Sequence, residues 1–290
     1  MSDVALREKA QELLNHADVR IDGNRPWDLR VHDQRVFARA FAHGSLGLGE
    51  AYMDAWWDAD DLDGFFFRVL DARLDDQLRN FGALRAHLKA RFINLQRGRR
   101  AFVIGKAHYD LGNDLFEAML GKRLVYSCGY WKDADNLDDA QEAKLDLICR
   151  KLGLAPGMRL LDVGCGWGSL ILYAAENYGV RATGVTLSNQ QREFVAKRIA
   201  ERNLGDRVEV RLQDYRDVND PVFDAVSSIE MGEHVGQDQY PVYAATLFRA
   251  LRPGGRLLLQ QMSRRADAAP GGGAFIENYI APDMHMRPLP

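Results

Sequence analysis

Short apolar segments alternate with longer amphipathic segments through the second half of the chain. The short segments have the continuous apolar pattern of buried strands, and the longer ones repeat apolar residues at helical spacing. The predicted strands are 159–163, 181–186, 208–212, 223–229 and 256–261, and the predicted helices are 169–178, 189–203 and 239–251. Strands that alternate with helices predict an α/β fold, in which a doubly wound, mostly parallel sheet carries helices on both faces.

The first half of the chain predicts a smaller, mostly helical domain over residues 1–80. Its predicted elements are a helix at 4–18, a turn and strand at 20–33, a helical unit at 38–57 and a helix at 62–78. Glycines alternate with apolar residues in the third of these, which ends in Trp56 and Trp57. This pattern predicts close packing within a helical unit, and the alternative is an aromatic surface for a lipid or a partner protein.

The rest of the chain divides into three further segments. Residues 81–155 are predicted to carry a basic helix and a lid over a ligand site, and residues 156–263 are predicted to form the sheet domain. Residues 264–290 are rich in glycine and proline and predict an irregular tail.

The basic helix stands out because residues 77–109 contain no aspartate or glutamate. The basic residues of this window are Arg79, Arg85, Lys89, Arg91, Arg97, Arg99, Arg100 and Lys106. Leu84, Leu88, Phe92 and Leu95 recur among them at helical spacing. A basic amphipathic helix can lie on anionic lipid, so residues 85–106 are predicted to bind a membrane surface. The alternative is a core-facing helix with a solvated basic face.

Composition narrows the class of protein. The 290 residues carry a net charge of −3 with a pI of about 6.2, which argues against a nucleic-acid partner. The three cysteines have no paired spacing, which favours a reducing compartment and argues against disulfides and a zinc site. No apolar run approaches the length of a membrane span, and the N-terminus lacks a signal core. The sequence therefore predicts a cytoplasmic protein that meets a membrane only at its inner surface.

The candidate chemistry begins at the stretch LLDVGCGWG, residues 160–168, where a predicted strand meets a predicted helix. Glycines let the backbone turn tightly and approach a nucleotide-like ligand. A nicotinamide enzyme would show G-x-G-x-x-G and an acidic residue after the second strand. This chain has G-x-G-x-G, and its second strand is followed by Leu187, Ser188 and a glutamine pair, Gln190 and Gln191.

The stretches LDVGCGWG, TLSNQQ, LQDYRD and LRPGG occur in an order that resembles the S-adenosylmethionine (SAM)-dependent methyltransferase fold. Longer stretches resemble the bacterial cyclopropane-fatty-acid synthase family over nearly the whole chain. They are SLGLGEAYMDAWWD, NLQRGRRAFVIGKAHYDLGNDLF, YSCGYWKDADNLDDAQEAKL and MGEHVG. The resemblance implies transfer of the SAM methyl carbon to the cis double bond of an unsaturated acyl chain in a membrane phospholipid, which forms a cyclopropane.

The resemblance also implies a set of site residues. The cofactor-binding residues would be Tyr126, Ser127, Asp162, Gly164, Cys165, Gly166, Trp167, Gly168, Thr186, Leu187, Gln191, Asp214 and Tyr215. Asp162 could instead only cap the glycine turn. A bicarbonate ion would accept a proton in the family mechanism, held here by Cys128 and Glu233. Gln260 stands where the family usually has a histidine, and glutamine can hydrogen-bond an anion but cannot titrate.

Several alternatives stay open. The family usually continues with two further strands and a helical segment that carries a tyrosine, so we expect a C-terminally truncated member whose last strand is a sheet edge. A mid-chain methyl or methylene branch is an alternative product, to which Gln260 gives slightly more weight because a changed anion site could place the base differently. A SAM- or membrane-binding protein without catalysis is one rival function, and methylation of a small molecule is another. His234 is predicted to be structural, and His108 and Tyr109 are predicted to line the access route. The oligomeric state is open between a monomer and a homodimer.

Overall fold

The computed structural model describes residues 2–74, 113–266, 273–280 and 284–289. The chain forms two compact units, one drawn from residues 1–94 and 272–282 and the other from residues 95–271 and 283–290. The predicted basic helix lies outside the described residues, as do His108 and Tyr109. The predicted domain boundaries stay predictions.

The first unit is built mainly of helices. Its elements are α1 (Asp3–Asn15), β1 (Arg30–Val31), α2 (Arg35–Met53), β2 (Trp57–Asp58) and α3 (Leu62–Asp71). Helix α2 is kinked at Gly44, whose φ of 58° and ψ of −136° are open to glycine. The Trp57 ring is 1% exposed and packs on Phe65 with centroids 5.1 Å apart. Its Nε1–H donates to the Leu48 carbonyl over 2.9 Å, so Trp57 belongs to the core of this unit, as the packing interpretation predicts.

The second unit is organised around a five-stranded sheet. Its strands are β3 (Arg159–Val163), β4 (Arg181–Thr186), β5 (Val208–Leu212), β6 (Phe223–Ile229) and β7 (Leu251–Gln260). Its helices are α4 (Asn113–Met119), α5 (Leu137–Leu152), α6 (Ser169–Tyr178), α7 (Asn189–Glu201) and α8 (Tyr240–Ala250). All the strands pair in parallel, in the order β5-β4-β3-β6-β7. The predicted doubly wound fold is therefore confirmed.

The order of the strands positions a ligand site. The chain leaves β3 toward β4 on one side of the sheet and returns to β6 on the other side. Loops at such a switch point diverge, which opens a crevice at the carboxyl ends of the strands. Strand β3 is central and buried on both faces, through Leu160, Leu161 and Val163, so its carboxyl end is held firmly at that crevice.

Two predictions about the end of the chain were wrong. The last strand begins at Leu251 rather than at residue 256, because the turn around Gly254 is accommodated as a bulge in the pairing with β6. The described part of the tail contains regular elements: β8 (Ser263–Arg265) and β9 (Arg287–Leu289) pair in parallel, and a π-helical turn spans Ile276–Ile280. As predicted, β7 forms an edge of the sheet within the described residues.

No helix in the described ranges is both long enough and apolar enough to cross a bilayer.

Candidate active site

The glycine loop connects β3 to α6 at the switch point. Gly164, Gly166 and Gly168 all have positive φ, at 77°, 54° and 78°. The backbone N–H groups of Gly164 and Cys165 both donate to the Val185 carbonyl on β4, over 3.0 and 3.1 Å. A Cβ atom at Gly166 would meet nothing within 4 Å, so the loop borders open space at this point. Such a loop lets a ligand come close to the backbone.

The structure gathers the predicted cofactor residues at one crevice. All of them except Gly168 line it, together with Leu124, Lys144, Glu230, Met231 and His234. Gly168 lies beneath the crevice, where a Cβ atom would stand 2.7 Å from Val195 Cγ1. An aromatic wall is made by Trp167 and Tyr126, which both contact the Phe116 ring with centroids 4.5 and 5.7 Å apart.

Asp162 is a buried carboxylate at the end of β3. It is 3% exposed, and its Oδ1 accepts a hydrogen bond from Ser227 Oγ on β6 over 2.8 Å. Burial raises the pKa of Asp162 to about 6, against the opposing effects of the Ser227 bond and of Lys144. A buried carboxylate of this kind favours a positively charged ligand group nearby, since such a group would offset the lost solvation.

Lys144 on α5 is the second buried charge of the crevice. It is 5% exposed, and its Nζ donates to Ser127 Oγ over 2.8 Å. Burial lowers the pKa of Lys144 to about 8, although Cys128 and Asp162 act in the opposite direction. Gln141 Nε2 donates to the Ser127 carbonyl over 2.8 Å. These two bonds fix the segment that carries Tyr126, Ser127 and Cys128.

Neither Lys144 nor Gln141 was predicted as a site residue. The buried stripe of α5 consists of Ala140, Gln141, Lys144, Leu145, Ile148, Cys149 and Leu152. Positions separated by four residues, in two adjacent rows, define this stripe. Two polar residues inside such a stripe are the signal that could have found them, because burial of polar groups requires partners.

The turn from β4 into α7 is held by its own side chains. Thr186 Oγ1 and Gln191 Oε1 lie 2.7 Å apart in a hydrogen bond that the hydroxyl donates. The backbone N–H of Gln191 donates to Ser188 Oγ over 3.2 Å, which caps α7. After β5, the guanidinium of Arg216 binds the Asp214 carboxylate and lowers its pKa against the effect of burial.

A cluster of polar side chains lies where β6 and β7 end. Gln260 Nε2 donates to Glu230 Oε1 over 3.0 Å and to Cys128 Sγ over 3.5 Å. The backbone N–H of Met262 donates to Glu230 Oε2 over 2.9 Å and reaches Glu233 Oε1 at 3.5 Å. The structure thus brings the three predicted catalytic residues, Cys128, Glu233 and Gln260, around Glu230, which the sequence interpretation missed.

Glu233 is buried in this cluster at 1% exposure. Its Oε2 has no hydrogen-bond donor among the described residues. Burial and the adjacent Glu230 carboxylate raise the pKa of Glu233. The Glu233 carboxyl is therefore expected to be protonated at neutral pH, which avoids repulsion with the adjacent Glu230. The backbone N–H of His285 donates to the Glu233 carbonyl over 2.8 Å and helps to fix this turn.

Comparison with known proteins decides the family. A family model described as mycolic acid cyclopropane synthetase matches residues 96–288. The chain belongs to this family. Among curated proteins, the cyclopropane-fatty-acyl-phospholipid synthase of Escherichia coli strain K12 is 49% identical to it over 276 residues. That match covers 94% of this chain and 70% of the E. coli protein.

Solved structures agree with the assignment to the cyclopropane synthetase family. The cyclopropane synthase MmaA2 from Mycobacterium tuberculosis is 34% identical to this chain, with a TM-score of 0.61, over 64% of this chain and 70% of its own. The mycolic acid cyclopropane synthase CmaA1, solved with SAH and CTAB, is 33% identical with a TM-score of 0.58 over the same shares. The predicted SAM-dependent methyltransferase fold and the predicted family are confirmed.

The crevice of this family member fits S-adenosylmethionine. The buried Asp162 carboxylate suits the positive charge of this cofactor. The glycine loop and the Trp167 ring form a partly apolar surface that the cofactor can approach closely. The polar cluster does not fit an additional anion. Two carboxylates already occupy it, and the N–H donors of Gln260 and Met262 are directed to Glu230. The residues of the cluster therefore do not fit a bound bicarbonate ion.

Proposed function

We propose that this chain transfers the methyl group of S-adenosylmethionine to the cis double bond of an unsaturated acyl chain in a membrane phospholipid and closes a cyclopropane ring. The observation that carries the proposal is the position of Glu230, which lines the cofactor crevice and forms the centre of the polar cluster with Gln260 and Met262. A methyl donor bound in the crevice would therefore lie next to the polar cluster, whose groups could take up the proton that ring closure releases. The similarity to the E. coli synthase supports the substrate class.

Bound S-adenosylmethionine supplies an electrophilic methyl group on a sulfonium. An alkene is a weak nucleophile, so the chain has to hold both reactants in line and exclude water. The tilted contact of Phe116 with Trp167 and the half-buried hydrogen bond of Lys144 to Ser127 give one side of the crevice a fixed shape. Asp162 places negative charge where the cofactor is expected to carry positive charge.

A mid-chain methyl or methylene branch is the second product that the cluster allows. The ring and the methylene branch both arise from a carbocation on the acyl chain and differ in which proton is lost. A saturated methyl branch would in addition require a hydride donor to reduce the methylene. Gln260 donates its amide to Glu230 and cannot carry a proton itself. The position of the proton acceptor therefore decides the product.

We expect the purified chain to transfer label from methyl-labelled SAM to vesicles of dioleoyl phosphatidylglycerol and not to vesicles of the saturated dipalmitoyl lipid. The double bond is the only nucleophile that differs between the two lipids. Labelled lipid is measured after extraction, and SAM binding is measured separately by calorimetry. SAM binding without labelled lipid would contradict the proposal and support a binding protein without catalysis. Label in a small molecule and not in lipid would support the rival function, methylation of a small molecule.

We further propose that the chain works at the inner surface of a membrane, with residues 85–106 on anionic lipid, and that it is cytoplasmic. The acid-free window supports this, since each basic residue near such a surface contributes about 1 kcal/mol. Flotation with anionic vesicles should decrease strongly from low to high salt, because salt screens exposed charges. Glutamine at Arg97, Arg99 and Arg100 should weaken flotation more than glutamine at the control residues Arg192, Lys197 and Arg202. Equal loss in both variants, or no effect of salt, would contradict the surface proposal.

A further inference from the structure

We infer that Glu230 is the proton acceptor of the ring-closing step, so that a carboxylate of the protein stands where the family resemblance implies a bicarbonate ion. The inference rests on the proposed function. It names the base that the reaction requires and makes the reaction independent of bicarbonate.

The hydrogen bonds of Glu230 carry the inference. Oε1 accepts from Gln260 Nε2 over 3.0 Å, and Oε2 accepts from the Met262 backbone N–H over 2.9 Å. An oxyanion at the ends of β6 and β7 would need these same donors. Both oxygens of the side chain already occupy them, which is the arrangement of a carboxylate bound in an anion site.

The backbone at Glu230 is a second, independent observation. Its φ is 52°, which is in the left-handed region that residues with a side chain seldom adopt. A glycine would adopt this conformation without the steric cost, yet the chain carries a glutamate at the point where β6 enters the crevice. Strained residues of this kind are concentrated at functional sites, where the surrounding structure holds them.

The neighbouring charges suit a base at this position. Glu233 is buried beside Glu230, and its raised pKa favours the protonated form of Glu233 at neutral pH. Glu230 is the member of the pair whose side chain lines the cofactor crevice. Lys144 is buried on the other side of the crevice and interacts electrostatically with Glu230, Asp162 and Cys128. It balances negative charge that would otherwise accumulate there.

The step balances with Glu230 as acceptor. The π electrons of the double bond form a bond to the methyl carbon as the carbon–sulfur bond breaks onto sulfur, which leaves a carbocation on the second alkene carbon. A C–H bond of the new methyl group then breaks. Its electron pair closes the ring onto the cationic carbon, and its proton passes to an oxygen of Glu230. The proton later leaves to solvent, so no further reactant is needed.

The test compares the wild-type chain with Glu230→Gly and Glu230→Gln, with and without added bicarbonate in carbonate-free buffer. Glycine suits the positive φ, so Glu230→Gly is expected to fold, and it leaves space in the cluster. Asn203→Gly is the matched control, since Asn203 has a φ of 54° in a turn away from the crevice. Methyl transfer to dioleoyl phosphatidylglycerol is one readout. Binding of ¹³C-labelled bicarbonate, followed by NMR, is the other.

We expect bicarbonate to change wild-type methyl transfer by less than about twofold, and both variants to lose about 10²–10⁴-fold without it while still binding SAM. Bicarbonate should restore Glu230→Gly by about tenfold or more, and this variant alone should bind the labelled ion. Wild-type activity that requires bicarbonate, wild-type binding of the ion, or full activity of Glu230→Gly would overturn the inference. An inactive wild-type chain would instead count against the proposed function, and the binding readout would still decide whether Glu230 occupies the anion position.

Discussion

Replacement of Asp162 by asparagine is expected to lower the affinity for SAM by about a hundredfold and to stabilise the ligand-free protein at neutral pH. Asparagine keeps an oxygen that can accept the Ser227 hydrogen bond, so the shape of the site is preserved. It removes the buried negative charge that the crevice offers to a cationic ligand. The same substitution therefore acts in opposite directions on binding and on folding.

The expected stabilisation follows from the raised pKa of Asp162. Burial raises this pKa from 3.8 to about 6, which corresponds to an unfavourable contribution of about 3 kcal/mol to folding at pH 7. Because the folded protein binds more protons than the unfolded chain between about pH 4 and 6, this cost develops as the pH rises through that range. Urea unfolding should show a variant that is more stable than wild type above about pH 6 and nearly equal to it near pH 4.

Asp224→Asn is the matched control for this experiment. The backbone N–H of Arg159 and the guanidinium of Arg252 bind the Asp224 carboxylate and lower its pKa. Its stabilising contribution is therefore present at neutral pH and is lost as the pH falls, so asparagine should destabilise at this position. An Asp162→Asn variant that behaves like Asp224→Asn, or that keeps wild-type SAM affinity, would contradict the role of Asp162.

Replacement of Gly168 by alanine should also have a large effect. It is expected to lower the free energy of unfolding by about 2–4 kcal/mol. The positive φ of 78° is strained for a residue that has a Cβ atom. The new Cβ of alanine would also lie 2.7 Å from Val195 Cγ1 on α7, which is too close. The loop above Gly168 should shift as a consequence, so SAM affinity should fall as well. Urea unfolding and calorimetry with SAM measure the two effects.

Two further variants separate the causes. Gly157 has a φ of 83° with nothing within 4 Å of a Cβ atom, so Gly157→Ala should show only the backbone cost, about 1 kcal/mol. Val195→Ala removes the atom that the new methyl group would meet, so the double variant should lose less than the sum of the single changes. Equal losses for Gly157→Ala and Gly168→Ala would contradict the contact with Val195.

The sheet could be predicted because its signal is local. Four strands agree with the structure to the residue, among them Arg159–Val163 and Phe223–Ile229, since parallel strands buried on both faces leave continuous apolar segments between turn residues. The last strand was misplaced, because proline and two glycines predict a turn and the pairing with β6 absorbs them as a bulge. Bulges depend on the partner strand and leave no separate local pattern.

The residues of the candidate site were only partly predictable, because many of their contacts, like the bulge, depend on distant parts of the chain. The glycine loop can be predicted from the spacing of its glycines. The hydrogen-bond partners of the polar site residues cannot, because they lie far away in the sequence. Gln260 binds Cys128 across 132 positions, and Lys144 finds Ser127 across 17. Glu230 follows a strand and looks like an ordinary surface acid in the sequence. Its role in the cluster appears only when β6 and β7 are paired.

The most direct test of the central claim is the ¹³C NMR spectrum of the lipid formed from [methyl-¹³C]SAM and dioleoyl phosphatidylglycerol vesicles. Ring, methylene and methyl carbons resonate in separate regions, so the spectrum shows which bond the transferred carbon has formed. The wild-type chain is predicted to place the label in a ring CH₂ whose signal survives hydrogenation under conditions that saturate alkenes. Label in an exocyclic methylene or a methyl branch, or no label in the lipid, would contradict ring formation by this chain.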